Sequence, residues 1–152
     1  MKLSELLPRG AIIPDLASKD KKGVLEELAI CVAPMARTGS DEIVRVLLER
    51  EQLGSTGIGG GIGIPHGKLA TVDSIVVGFG LSRKGVSFDS LDHKPVHIFF
   101  LLITPENSTG SHLKVLAQIS KLLKKDHFKE SLLRAESIDE IQKIILDIDE
   151  EF

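Results

Sequence analysis

Tryptophan and tyrosine are absent from this chain of 152 residues, which leaves six phenylalanines as its large aromatic side chains. The core is therefore expected to be aliphatic with a few phenylalanines. No apolar run approaches the length that crosses a membrane, and the N-terminus lacks the apolar stretch of a secretory signal. We therefore expect a cytoplasmic protein without membrane insertion. The length fits a single domain, residues 1–152, with room for a substantial core.

The chain also has a single cysteine and no excess of basic residues. The single cysteine, Cys31, excludes an intramolecular disulfide, and the apolar residues around it predict a small buried side chain rather than a reactive thiol. The net charge of −3 argues against nucleic acid as a partner, since non-specific binding needs a clustered basic surface. Neither a His-Glu-x-x-His motif nor paired cysteines occur, so no metal and no other cofactor is expected.

Hydrophobic periodicity predicts helices, then strands, then helices. The first expected helix begins at Ser18 or Asp20 and closes at Pro34, and the second begins at 39–41 and stops near Gly54. A third helix is expected from Gly110 to Lys124 and a fourth from Phe128 to Arg134. The last expected helix follows a capping box at Ser137–Glu140. The expected strands are 11–13, 74–81, a short strand at 85–88, and the apolar run 96–103. Ser4 is expected to cap a short N-terminal turn. This order predicts an α/β fold, a three-layer α/β/α sandwich with a mixed parallel and antiparallel sheet.

The most informative segment is a glycine-rich run at 54–68, Gly-Ser-Thr-Gly-Ile-Gly-Gly-Gly-Ile-Gly-Ile-Pro-His-Gly-Lys. Glycines let main-chain amides approach a ligand closely, and successive amides form nests for anions. Pro65 fixes φ just ahead of His66, whose imidazole can act as a nucleophile near neutral pH. The run indicates a phosphoryl group carried on His66. The alternative is a flexible glycine loop in which the histidine is exposed by chance.

Two common phosphate-binding motifs do not fit this run. A Walker A loop requires glycine where the chain has Ile62 and serine or threonine where it has Leu69. The dinucleotide pattern Gly-x-Gly-x-x-Gly fails from every possible starting glycine between 57 and 61. The run therefore matches neither the loop that binds nucleoside triphosphates nor the fingerprint that binds dinucleotides.

Residues 50–69, which add Arg-Glu-Gln-Leu before the run and Leu after it, resemble the active-site signature of the fructose/mannitol-type enzyme IIA domains. Those domains belong to the phosphoenolpyruvate:sugar phosphotransferase system. The resemblance extends over essentially the whole chain, including 88–96 and 104–113, and is strongest to the nitrogen-regulatory branch. It implies the enzyme IIA fold and a phosphotransferase activity with a phosphohistidine intermediate. It also implies a phosphoryl donor, a histidine-containing phosphocarrier protein of the HPr or NPr type.

The resemblance maps the phosphorylated histidine onto His66, a second active-site histidine onto His112, and a functional arginine onto Arg50. An arginine fork can donate two hydrogen bonds to one phosphate, and the expected helix start at His112 favours an anion. Taken singly, Arg50 also fits a solvated helix-end charge, and His112 fits a plain helix-start residue. Further donors to the phosphoryl oxygens are expected from the Thr56 hydroxyl and from backbone amides at Gly57, Gly59, Gly60 and Gly61.

The remaining candidates carry weaker expectations. His97 alternates within an apolar strand and is expected to be a satisfied sheet residue, whereas His93 and His127 are expected on the surface. A partner could dock on an apolar collar around His66 formed by exposed side chains of Ile58, Ile62 or Leu69.

Three functions remain open. The likeness of the glycine run to the nitrogen branch and the stand-alone architecture favour a regulatory enzyme IIA, in which phosphorylation decides which protein targets bind. The first alternative is a sugar-transport enzyme IIA of the fructose/mannitol class that passes phosphate to a cysteine of an enzyme IIB. The second, weaker alternative is a non-catalytic anion-binding regulatory domain.

Overall fold

A mixed six-stranded sheet lies between two layers of helices in the computed structural model, which describes residues 2–149. The two ends of the expected domain, Met1 and residues 150–152, lie outside the described residues. The helices are α1 (Leu3–Leu6), α2 (Lys21–Ala36), α3 (Ser40–Glu51), α4 (Thr109–Leu123), α5 (Asp126–Arg134) and α6 (Ile138–Ile148). The strands are β1 (Ile12–Ile13), β2 (Gly57–Gly59), β3 (Ile62–Gly63), β4 (His66–Leu69), β5 (Val76–Val86) and β6 (Val96–Pro105).

The sheet is built around an antiparallel pair of long strands, β5 and β6. The short strand β1 runs parallel to β5 on its outer side, whereas β3 and β4 both run parallel to β6. A hairpin with β2 continues the sheet beyond β3. The order β1-β5-β6-β3-β2, with β4 also on β6, confirms the mixed three-layer sandwich.

The strands β3 and β4 follow one edge of β6 in a single register. Ile62 lies opposite Ile98, and His66 lies opposite Leu102. Between them the Pro65 carbonyl accepts a hydrogen bond of 3.0 Å from the Leu102 amide, so the ladder continues through a residue that has no N–H of its own. The glycine-rich run is therefore a hairpin and an edge strand, not the loop that its composition predicts.

Two helix starts agree with the sequence. The Asp20 carboxylate accepts a hydrogen bond of 2.8 Å from the Gly23 amide at the start of α2, and the Ser137 hydroxyl accepts one of 3.2 Å from the Glu140 amide at the start of α6. Such side-chain caps satisfy amides that the first helical turn leaves without a partner.

Several boundaries differ from the predictions. Helix α2 continues past Pro34 to Ala36, because Arg37 closes it in the left-handed region at φ 55°. Ser4 lies inside α1 and caps nothing; its amide donates instead to Asp149 at 2.9 Å. The two strands expected at 74–81 and 85–88 form one strand, β5, with an irregular register between Leu81 and Val86.

The core is aliphatic with edge-to-face phenylalanine pairs, as the composition predicts. The ring centroids of Phe79 and Phe100 are 5.0 Å apart, and those of Phe88 and Phe99 are 5.1 Å apart. Cys31 departs from the prediction because it is half-buried, with its thiol donating to the Gly10 carbonyl at 3.1 Å. Burial raises the pKa of that thiol, which keeps it protonated and unreactive at neutral pH.

Candidate active site

The edge strand β4 places His66 between the C-terminal end of α3 and the N-terminal end of α4. Gly67 faces α3, since a Cβ added there would lie only 3.1 Å from Cγ2 of Val46. Successive side chains of a strand point to opposite faces, so His66 faces the layer that contains α4. Without a side chain at Gly67 the strand approaches α3 closely, and the C-terminal end of α3 comes within reach of His66.

Two hydrogen bonds fix the tautomer of His66. Its Nδ1 lies 2.8 Å from the Ile64 carbonyl, which can only accept, so Nδ1 carries the proton. Its Nε2 accepts a hydrogen bond of 3.2 Å from Nε of Arg50. Nε2 is therefore the nitrogen with the free electron pair, and it is the nucleophilic atom of this ring.

The guanidinium of Arg50 is held at a second point. Arg50 is in the last turn of α3, and its terminal Nη1 donates to the Gly54 carbonyl at 2.9 Å. With Nε on His66 and Nη1 on Gly54, the fork is fixed across the turn that follows α3. An arginine held in this way presents a positive charge beside Nε2 without further ordering.

His112 approaches His66 from α4, in the helical layer opposite α3. It lies in the first turn of α4, is 5% exposed, and shares a hydrogen bond of 2.8 Å between its Nδ1 and the buried hydroxyl of Thr104. Its ring meets that of His66 edge to face, with centroids 5.1 Å apart. The bond to Thr104 occupies Nδ1 and leaves Nε2 of His112 for a ligand.

Burial and charge keep both imidazoles neutral near pH 7. Burial lowers the pKa of His66 and the Arg50 charge lowers it further, whereas the bond to Ile64 and the Glu51 charge raise it. Burial also lowers the pKa of His112, as do a proton on the neighbouring His66 ring, when it is present, and the positive charge of Lys68. A neutral His66 with an unprotonated Nε2 is the form that can act as a nucleophile.

These side chains line an open cleft of about 420 Å³. Its rim is apolar at Leu53, which is 84% exposed, and at Leu113, which is 58% exposed. The expectation that Ile62 and Leu69 contribute exposed side chains to an apolar collar is wrong, because both are buried in the core. Ile58 is exposed as expected, but it does not line this cleft.

Thr56 and Gly57 do not offer their donors to the cleft. Thr56 is 4% exposed, and both its hydroxyl and its amide donate to the Glu51 carboxylate. The Gly57 amide donates to the Ser55 hydroxyl at 3.0 Å. The expectation that these two residues bind phosphate is therefore corrected, because their hydrogen bonds hold the protein together at the start of β2.

The glycines Gly59, Gly60 and Gly61 lie at the tip of the hairpin, away from His66. Ile62, which directly follows these glycines, pairs with a residue of β6 that is four positions from the partner of His66. Four positions along a strand are about 13 Å at ~3.3 Å per residue. The Gly60 amide donates to Asp92 at 3.0 Å, and all three glycines have positive φ. They serve a tight turn, so the expected phosphate nest at these residues is corrected as well.

The other histidines lie outside the cleft. Nδ1 of His97 donates to the Ser82 carbonyl at 2.8 Å, the satisfied sheet position that the sequence predicts, and His93 and His127 are exposed. Within residues 2–149 no cluster of three or more His, Cys, Asp or Glu could hold a metal ion. Over the same range, no helix has the length and apolar character needed to cross a membrane.

Sequence reasoning missed several residues of the site. Glu51 and Thr104 are buried partners of Thr56 and His112, and Leu53 forms the most exposed part of the rim. The only sequence signals are a polar residue at the end of an apolar strand, for Thr104, and an apolar residue in a polar turn, for Leu53. Glu51 carries no signal, because charged residues at a helix end are normally solvated.

Comparisons with known proteins agree along nearly the whole chain. A family model described as "Phosphoenolpyruvate-dependent sugar phosphotransferase system, EIIA 2" matches residues 5–148. The Nitrogen regulatory protein of Bradyrhizobium diazoefficiens is 35% identical, and the match covers 95% of each chain. The fructose-specific EIIABC component of Bacillus subtilis is 37% identical over 95% of this chain, which spans 23% of that relative's length. The crystal structure of Nitrogen Regulatory Protein IIA-Ntr from Neisseria meningitidis superimposes with a TM-score of 0.89 at 36% identity, covering 94% of this chain and 98% of that one.

Proposed function

Because the chain belongs to the EIIA type 2 family of the phosphoenolpyruvate-dependent sugar phosphotransferase system, we propose that it carries a phosphoryl group on Nε2 of His66. The observation that carries this proposal is the hydrogen bond from Nδ1 to the Ile64 carbonyl, which leaves the electron pair on Nε2 beside Arg50. Residues 1–152 would act as one domain.

The donor is a phosphohistidine of a phosphocarrier protein of the HPr or NPr type. The Nε2 electron pair of His66 attacks phosphorus, and a new N–P bond forms while the donor's N–P bond breaks. The donor ring reacts with a proton on its other nitrogen, so it takes back the electron pair of the broken bond and leaves as a neutral imidazole, while the Nδ1 proton of His66 stays hydrogen-bonded to the Ile64 carbonyl. Atoms and charge therefore balance without an added acid or base.

Arg50 and His112 stabilise the phosphoryl group during this transfer. Phosphoryl transfer depends mainly on positioning and on compensation of charge at the equatorial oxygens. The guanidinium lies 3.2 Å from the attacking nitrogen and can donate to those oxygens once Nε2 bonds to phosphorus. His112, in edge-to-face contact with His66, can donate from Nε2 in the tautomer whose Nδ1 accepts from Thr104.

Regulation through phosphorylation is the branch that we favour. The nitrogen regulatory relative matches this chain over 95% of both lengths, and the IIA-Ntr structure covers it almost completely. A phosphoryl group adds about two negative charges in a cleft whose rim carries exposed leucines, which is enough to change which protein binds there. The targets would then be regulatory proteins that distinguish the two forms.

Sugar transport is the second candidate, and the fructose-specific relative at 37% identity favours it. In that case the thiolate of an enzyme IIB cysteine attacks phosphorus. The bond between Nε2 and phosphorus breaks, and its electron pair returns to Nε2, which restores neutral His66.

The test of the proposal is labelling from phosphoenolpyruvate with enzyme I and the phosphocarrier present. Wild type and His127→Ala, which lacks an exposed histidine outside the cleft, should take up acid-labile, alkali-stable phosphate, and folded His66→Ala should take up none. Absence of label on folded wild type would contradict the proposal and leave the anion-binding alternative. Adding a fructose-type enzyme IIB to labelled protein separates the two branches, since only a transport component should lose its label to the cysteine.

A further inference from the structure

A buried carboxylate sits directly behind the arginine of the cleft. Glu51 is the last residue of α3 and is 7% exposed. Its Oε1 accepts from the Thr56 amide at 3.1 Å and from Nζ of Lys21 at 3.0 Å, and its Oε2 accepts from the Thr56 hydroxyl. Three donors therefore satisfy a charged group that would otherwise be costly to bury.

Lys21, the cation that pairs with Glu51, also contacts the segment that follows β5. Lys21 begins α2, and its ammonium group lies 4.9 Å from the centroid of the Phe88 ring and 3.5 Å from the Asp89 carboxylate. Its side chain is 18% exposed. The ion pair with Glu51 therefore joins the start of α2 to the end of α3 and to the segment after β5.

The same carboxylate closes the turn that holds the arginine. Glu51 and Thr56 are the two ends of the segment that contains Gly54, and the Glu51 carboxylate bonds to the amide and the hydroxyl of Thr56. The Gly54 amide also donates to the Glu51 carbonyl at 3.0 Å. The Gly54 carbonyl, which accepts from Nη1 of Arg50, is therefore held in a closed turn.

We propose that Glu51 is a positioning residue for Arg50. Its carboxylate, held by Lys21 and Thr56, fixes the turn whose Gly54 carbonyl orients the guanidinium at Nε2 of His66. The expected effect of Glu51 on the transfer rate rests on the proposed phosphoryl transfer at His66. Its expected effect on the position of Arg50 rests on the geometry alone. Glu51 also acts on His66 by charge, since it raises the pKa of an imidazole that burial and Arg50 lower.

The first test compares Glu51→Gln with Glu42→Gln as its matched control. Both glutamates lie on α3, but Glu42 is on the surface and pairs with Arg45. We expect phosphoryl uptake by Glu51→Gln to be slower by about tenfold or more, because a small misplacement of a positioning group costs up to ~10²-fold. Glu42→Gln should match wild type. Lys21→Met should resemble Glu51→Gln, and Lys21→Arg, which keeps the ion pair, should recover most of the rate.

A double-substitution cycle separates positioning from general stability. If Glu51 acts through Arg50, then Glu51→Gln should cause no further loss of rate in an Arg50→Ala background. An equal loss in both backgrounds would overturn the proposal, because a merely structural role does not depend on Arg50. Should Glu51→Gln fail to fold, Thr56→Val and Thr56→Ser provide the same comparison, with only the serine keeping the hydroxyl.

A measurement without phosphate keeps this inference distinct from the proposed function. In NMR spectra of the unphosphorylated protein, the Nε–H signal of Arg50 should exchange slowly in wild type and in Glu42→Gln. It should be lost or averaged in Glu51→Gln. An unchanged signal in Glu51→Gln would overturn the positioning role even if wild type accepts phosphate. Failure of wild type to accept phosphate would overturn the transfer at His66 and leave the positioning of Arg50 to be decided by this signal.

Discussion

The imidazoles of His66 and His112 form an edge-to-face pair with their planes at 61°. Each ring is held at Nδ1, by the Ile64 carbonyl in one case and by the Thr104 hydroxyl in the other, so neither can rotate without losing a hydrogen bond. Two protonated rings at this separation would repel each other in a partly buried site. The arrangement therefore favours the neutral form of both rings, and the proposed phosphoryl transfer requires a neutral ring as its nucleophile.

The lowered pKa of His66 predicts a pH profile. The rate of phosphoryl acceptance should remain on its plateau as pH falls from neutral to 6.5, the ordinary histidine value, and should decline only below it. An NMR titration of the His66 ring measures the same group without the phosphocarrier, whose own histidine also titrates. A His66 midpoint at or above 6.5 would contradict the burial argument.

The pKa of His112 gives a separate prediction for stability. Its folded-state pKa lies below the unfolded-state value of 6.5, so the unfolded chain takes up the proton first as pH falls. The contribution of neutral His112 to the free energy of unfolding is complete above 6.5 and is lost as pH falls through the lowered pKa. His112→Gln should lose less stability than wild type between neutral and mildly acidic pH in urea unfolding. Parallel losses in the two proteins would show that His112 does not contribute.

Removing the fork of Arg50 should impair transfer more than stability. Arg50→Ala is expected to slow phosphoryl acceptance by about 10²-fold, which is the usual cost of losing one preorganised donor to a developing charge. Arg50→Lys keeps the charge but not the two-point geometry, and it should recover only part of the rate. Arg45→Ala is the control, since Arg45 lies on the same helix and pairs with the surface glutamates Glu42 and Glu49. Equal rates in Arg50→Ala and Arg45→Ala would remove Arg50 from the mechanism.

The sequence predicted the family, the sandwich and three residues of the cleft that the family resemblance identifies. Arg50, His66 and His112 are far apart in the chain, and the structure brings them together as the resemblance implies. The helices were predictable because apolar side chains recur at the helical period and because Asp20 and Ser137 are residues that cap helices. These signals are local, so they can be recognised without knowing the strand pairing.

The glycine-rich run was misjudged for a physical reason. Composition shows that amides are accessible but not which partners they find, and here Ser55 and Asp92 take the amides of Gly57 and Gly60. The register of β3 on β6 then moves the hairpin tip away from His66. Strand pairing of this kind depends on contacts distant in the chain, which one sequence does not display.

Partner docking should depend on the apolar rim of the cleft. Leu53→Glu and Leu113→Glu place a charge on exposed surface, so the free energy of unfolding should change little, whereas transfer from the phosphocarrier should slow by at least about fivefold. Ile30→Glu is the matched control, because Ile30 is 64% exposed on α2 and lies outside the cleft. Transfer rates measured at low phosphocarrier concentration decide the matter. A rate for Leu53→Glu equal to that of Ile30→Glu would remove the rim from the docking surface.

The close contact of β4 with α3 gives the last prediction. In Gly67→Ala the new Cβ would lie 3.1 Å from Cγ2 of Val46, so either the Val46 side chain or the strand has to shift by a few tenths of an ångström, and a shift of the strand carries His66 with it. We expect a loss of about 1–3 kcal/mol in the free energy of unfolding, as in other overpacked cores, together with slower phosphoryl acceptance. Adding Val46→Ala should restore part of both, because it removes the atom that the methyl group meets. Gly39→Ala is the control, since a Cβ at Gly39 meets nothing within 4 Å. If Gly67→Ala is as stable as Gly39→Ala in urea unfolding, the strand has room to spare, and the approach of Arg50 to His66 must be set by the turn after α3 instead.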